Sequence, residues 1–290
     1  MNCKIENEYL IVEIKPKGAE LASVIHKQNH LQYMWSGDSA VWGKTSPVLF
    51  PIVGTLKEDT YIYKDKKYSL PRHGFARDHV FEVEKQNTDS ISFLLKSSDT
   101  TLEKYPFHFE LRLIYTLKKD TLQLQYDVRN TGKEEMYFSI GAHPAFAVPL
   151  VRGSAYEDHY LEFNSEETAG RWPISKEGLI KTESEKLLDH TNVINLNKPL
   201  FYNDALVFKH LKSDKISLKS KTHSHGLDFG FEGFPFMGIW GAKDADFVCI
   251  EPWCGIADSV NHNQQLISKE GIEKLLPDSA WSRAWKVQFY

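Results

Sequence analysis

Three cysteines in 290 residues are too few, and odd in number, for a disulfide framework. Cys249 and Cys254 flank Glu251 at a spacing unlike that of paired zinc ligands, and are expected to be reduced packing residues. There is no apolar run long enough to span a bilayer, and residues 1–6 become charged at once, without the apolar core of a leader. A cytoplasmic protein without membrane contact is expected. No basic field exists either: the formal charge is −4 and Lys and Arg are scattered among acids, which disfavours a nucleic-acid partner. Linkers rich in Gly, Ser or Pro, low-complexity tracts and fixed-period repeats are all missing, so residues 1–290 are expected to form one domain. A domain of this length buries about 75% of its unfolded surface, enough to stand without metal or disulfide supports.

What the sequence does have is alternation. Phe107, Phe109, Leu111, Leu113, Tyr115 and Leu117 alternate with His108, Glu110, Arg112 and Thr116, and only Ile114 breaks the polar row. After the break at 118–120, Leu122, Leu124, Tyr126 and Val128 resume the pattern. Period two over such lengths predicts an antiparallel hairpin with one buried face. A turn at 130–133 and a strand over 136–140 would extend it to a three-stranded meander that ends at His143. Residues 236–240 and 247–250, on either side of the polar stretch 241–246, predict a second hairpin that delivers Glu251. Short helical turns are expected near 39–43 and over 101–105, the latter stopped by Pro106. Residues 166–198 are polar and weakly patterned, and read as an excursion over the surface. The fold class is therefore all-β.

Residues two apart in a strand share a face, so Glu251 should point with Cys249 and Phe247, and His143 with Gly141 and Ser139. Small neighbours beside a histidine leave room for a ligand. Taken alone, these residues support a pocket with one acid and one base; a half-buried structural histidine and an ordinary carboxylate are the competing reading.

Five segments in order go further: Pro51-Ile52-Val53-Gly54, Arg72-His73-Gly74-Phe75-Ala76-Arg77, Gly141-Ala142-His143-Pro144-Ala145-Phe146, Asn203-Asp204-Ala205-Leu206, and the run from Cys249 through Glu251-Pro252-Trp253 to Asp258. Together they resemble the aldose 1-epimerase family, in its LacX-like branch, over nearly the whole chain. The resemblance implies a galactose mutarotase-like β-sandwich of two large antiparallel sheets with an open sugar cleft. It implies His143 as the acid that protonates the ring oxygen and Glu251 as the base on the anomeric hydroxyl. It also implies that His73 and Asp204 hydrogen-bond sugar hydroxyls. Arg77 is expected either to clamp a substrate oxygen or to sit in a structural ion pair. Trp253 is expected to wall the cleft, with Trp42 and Phe146 expected in the core.

The expected substrate is a small sugar, with no cofactor and no metal. A zinc site built from His73, His143 and Glu251 is the weaker alternative, since the three lie far apart in sequence. One departure is Thr55, where many relatives carry Arg after Pro-Ile-Val-Gly. Loss of that permanent cation favours a neutral aldose over a hexose 6-phosphate, although Arg72, Arg77, Lys44 and Lys57 remain candidate cations. A sugar-binding protein without catalysis on the same fold is a further reading.

Overall fold

The computed structural model describes residues 2–290. Its main sheet has nine antiparallel strands, in the order Glu185–Asn195, His159–Arg171, Lys215–Ser220, Leu227–Gly230, Ala280–Phe289, Thr121–Asn130, Phe109–Lys118, Ser90–Lys96 and Glu82–Gln86. A five-stranded sheet is built on Phe247–Cys254, which pairs on one side with Phe236–Trp240 and on the other with Ile140–Gly141 and Ala145–Ala147; Leu206–Lys209 completes it. A three-stranded sheet, Cys3–Glu6, Leu10–Lys15 and Glu20–His26, and two short pairs complete the strands among the described residues. The all-β class and the large antiparallel sheets expected from the sequence are what the chain forms.

The hydrophobic core lies between the large sheets. Leu111, Leu113, Tyr115, Leu122, Leu124, Tyr126 and Val128, the residues the alternation singled out, are fully buried there with Trp285, Val287 and Phe289 of the last strand. Inside this core Trp285 Nε1 donates to Tyr126 Oη at 3.0 Å.

The hairpin over Phe109–Lys118 and Thr121–Asn130 forms in register, but the meander does not. The second neighbour of Thr121–Asn130 is the final strand, and Met136–Phe138 pairs with Glu273–Leu275 in a separate ribbon. Asn130 turns the chain away: its buried side-chain amide donates to the carbonyls of Glu134 and Leu275 and accepts from the Gly132 N–H. Alternation shows that a strand exists; which edge it joins is decided by distant sequence.

The expected excursion at 166–198 is likewise corrected. His159–Arg171 and Glu185–Asn195 are the two longest strands. Several register shifts interrupt their pairing, and on the longer strand the less exposed positions past Phe163 carry Ser165 and buried Glu167, which is why no clean hydrophobic period of two survives in the sequence. Only the connection between them, 172–184, behaves as a covering loop. Among the described residues, helix is confined to one turn, Asp99–Leu102, capped by Ser98, and to short 3₁₀ turns; residues 39–41 form a turn only. No helix is long and apolar enough to cross a membrane among the described residues.

Candidate active site

Strand Phe247–Cys254 is buried on both faces, and its alternation separates core from site. Val248, Ile250 and Cys254 point into the main core. Phe247, Cys249 and Trp253 pack on the opposite side, and Glu251 shares their parity. That outer face floors a cavity of about 450 Å³, within the range of small-molecule sites.

Register explains why His143 and Glu251 meet. Gly141 pairs with Trp253 and Ala145 with Cys249, so the residue midway, His143, stands opposite Glu251, midway between their partners. The ladder opens there: residues 142–144 leave strand geometry between the two short strands, and the histidine turns onto the cavity face. His143 Nε2 comes within 3.3 Å of Glu251 Oε2, both side chains being almost wholly buried. Gly238 lies on the other flank of Glu251. A Cβ there would stand 2.4 Å from the Trp253 ring, and one at Gly141 would stand 2.5 Å from it, so the indole needs both glycines to lie across the sheet.

Trp42 stacks on the His143 ring at 5.0 Å between centroids, and Trp240 meets it edge-on at 5.6 Å. His73 approaches the same imidazole at 5.8 Å, nearly perpendicular. Nδ1 of His73 accepts the Gly54 N–H at 3.1 Å, which leaves Nε2–H as the free donor of the neutral ring. Burial, then the positive charges of His143, Arg72 and Arg77, hold that ring's pKa well below the ordinary value. His73 and Asp204 both have positive φ, 68° and 78°, an uncommon conformation for a side-chain-bearing residue that here presents both to the cavity. Asp204 accepts its neighbour's N–H at 2.7 Å and stands 3.8 Å from Arg72 Nη2. Arg77 donates from Nη2 to the Arg72 carbonyl.

All six residues singled out from the sequence, His143, Glu251, His73, Asp204, Arg77 and Trp253, line this one cavity. Trp42 does too, whereas Phe146 is core. Sequence reasoning missed Trp240, Lys243 and the loop residues Ile174, Gly178 and Ile180. Trp240 could have been found by strand parity, being opposite Cys249 on the site face; the loop residues carry no such signal. Of the candidate cations, only Arg72 and Arg77 reach the cavity. Lys44 pairs with Asp78, and Lys57 donates to the His262 carbonyl. Thr55 is buried against Gly178, so the loop covers that position.

Burial drives Glu251 and His143 in opposite directions: the carboxyl is pushed well above its ordinary pKa and the imidazole well below, since each loses the water that stabilises its charged form. Together the two favour holding one proton. Three buried polar atoms of the wall, His143 Nδ1, Trp253 Nε1 and Arg77 Nε, have no hydrogen-bond partner, and Arg77 Nε stands 3.9 Å from the Asp78 carboxylate in a long ion pair.

The chain is thus a β-sandwich protein with a facing imidazole and carboxylate on the floor of a cavity. The aldose 1-epimerase family model matches residues 1–270, and the chain belongs to that family. It is similar to the LacX proteins of Lactococcus lactis subsp. lactis, 34% identical to the plasmid form and 35% to the chromosomal form over 296 residues, covering 99% of either chain. A galactose mutarotase related enzyme from Lactobacillus acidophilus superposes with a TM-score of 0.95 at 36% identity, over 100% of this chain and 97% of that one. A galactose mutarotase-like protein from Lactobacillus casei gives 0.93 at 28% identity, with both chains fully covered.

Proposed function

We propose that the protein is an aldose 1-epimerase that interconverts the α and β anomers of a small sugar, with Glu251 as base and His143 as acid. The observation that carries this reading is the 3.3 Å approach of His143 Nε2 to Glu251 Oε2 on the cavity floor. Ring opening of a hemiacetal removes a proton from O1 and delivers one to O5, two oxygens on the same carbon. A carboxylate and an imidazolium side by side match that pair. The opposed shifts leave the pair with one proton and favour its resting on Glu251; its transfer across the 3.3 Å contact to His143 gives the form in which Glu251 is free to accept. As Glu251 takes the O1 proton, the C1–O5 bond breaks and His143 protonates O5. Rotation about C1–C2 and reclosure on the other face, with the roles exchanged, return both groups to their starting state. Neutral His73, with its free Nε2–H, and Asp204 orient hydroxyls, Arg77 donates to a sugar oxygen, and Trp42, Trp240 and Trp253 offer apolar faces to the ring.

A neutral aldose is the first reading. Arg72, Arg77 and Lys243 in the wall favour a second, an aldose carrying a phosphate, because convergent cations suit a dianion. Anomer exchange followed by NMR across neutral aldoses and aldose phosphates tests both. Acceleration over buffer is expected. Sugar binding by calorimetry with exchange at the buffer rate would instead establish a binding protein without catalysis.

A further inference from the structure

Cys249 is a third side chain of a metal-ligating type beside the His143–Glu251 pair, and the reaction proposed above does not use it. It lies two residues before Glu251 on the same strand face, pairs across the sheet with Ala145 and Trp240, and is wholly buried. Its Sγ, a His143 ring nitrogen and a Glu251 carboxylate oxygen all lie within 4.8 Å of one another. His73, the partner the sequence offered for such a site, is not part of this group.

From this juxtaposition we infer that His143, Cys249 and Glu251 form a three-ligand site for a zinc-like divalent cation, and that the ion, once bound, shuts off acid–base chemistry at the pair. Zinc takes nitrogen, thiolate and carboxylate ligands in tetrahedral geometry, and two ligand atoms about 2.0 Å from such an ion stand about 3.3 Å apart. His143 Nε2 and Glu251 Oε2 are already at 3.3 Å, so the thiol has only to close in from one side. The charges balance as well. One thiolate, one carboxylate and one neutral imidazole around a dication give a neutral cluster, the arrangement a buried position tolerates best. Forming it releases the thiol proton and the proton shared by the pair. The cavity supplies the entry path and the fourth coordination position, for water or a sugar hydroxyl. A hard cation such as magnesium, which demands oxygen ligands, does not fit this donor set.

The inhibitory half of the inference rests on the acid–base reading of the pair; the binding half does not. Titrating the metal-free full-length protein with Co²⁺ should give a thiolate-to-cobalt charge-transfer band at one ion per chain, and Zn²⁺ should abolish the band by displacement. Cys249→Ala, and Cys249→Ser should the first fold poorly, should lose the band; Cys3→Ala should keep it. Zn²⁺ should inhibit anomer exchange by the parent protein, whereas Cys249→Ala should need about a hundredfold more Zn²⁺ for the same fractional inhibition of its own exchange rate. No band at excess Co²⁺, a band that survives both Cys249 substitutions, or equal zinc sensitivity in parent and variant overturns the inference. Should no sugar be epimerised at all, the acid–base reading falls, while the cobalt band still decides the metal site.

Discussion

His143 stands directly opposite Glu251 across a three-residue opening in a β-ladder, with ring nitrogen and carboxylate oxygen 3.3 Å apart. Paired strands hold both backbones on either side of the opening, so the separation is set by sheet geometry and not by a flexible loop.

Replacing either member should remove most of the catalysis. Glu251→Gln and His143→Asn are each expected to slow anomer exchange by roughly 10²–10⁴-fold. The double variant should be little slower than the worse single one, because the groups act as a unit. Saturation-transfer NMR on the preferred sugar reads all three rates, and sugar affinity from calorimetry should move far less than the rate.

The pH dependence follows from the opposed shifts of the pair. A second proton would make the buried pair positive and removal of its proton would make it negative; burial disfavours both. The one-proton state therefore spans a wider interval than free His and Glu side chains would give. The profile of kcat/KM should be flat through neutrality, falling on the acid side below the ordinary histidine pKa and on the alkaline side above the ordinary carboxylate pKa. An acid-limb midpoint near that of free histidine would contradict the buried geometry.

Gly238 is required by the indole of Trp253. A methyl group placed 2.4 Å from that ring must push it toward the cavity. Gly238→Ala is expected to cost about 1–3 kcal/mol of stability and to weaken sugar binding, both measurable by thermal unfolding with and without sugar. Gly153→Ala, at a position with nothing within 4 Å of the added carbon, is the comparison, its own cost being confined to backbone strain at positive φ.

Behind the cavity, buried Asp258 accepts from Lys269 Nζ at 2.8 Å and from the Lys57 N–H at 2.9 Å, and pairs with His262 at 3.2 Å. Burial pushes its pKa up, but His262, Lys269 and the Lys57 N–H outweigh that and bring it down to about 2 from 3.8. A depressed carboxylate pKa stabilises the folded state above the unfolded value, and that stabilisation, about 2 kcal/mol, disappears as pH falls from 3.8 through about 2. Asp258→Asn should destabilise by about 3–5 kcal/mol near neutrality by stranding buried Lys269. It should also flatten the acid limb of the stability curve followed by urea unfolding.

The sequence by itself determined the strands of the central hairpins, the parity that separates Glu251 from Ile250, and, through five ordered motifs, the family. These are local or linear properties: alternation fixes which side of a strand is apolar wherever one face is buried. Tertiary structure alone decided that Thr121–Asn130 joins the final strand and that His143 falls opposite Glu251. It also decided that Cys249 joins that pair, that Lys57 faces away and that a loop covers Thr55. Each of these depends on pairing between segments far apart in the chain, or on the positive φ of His73 and Asp204, and no periodicity in the sequence encodes a partner.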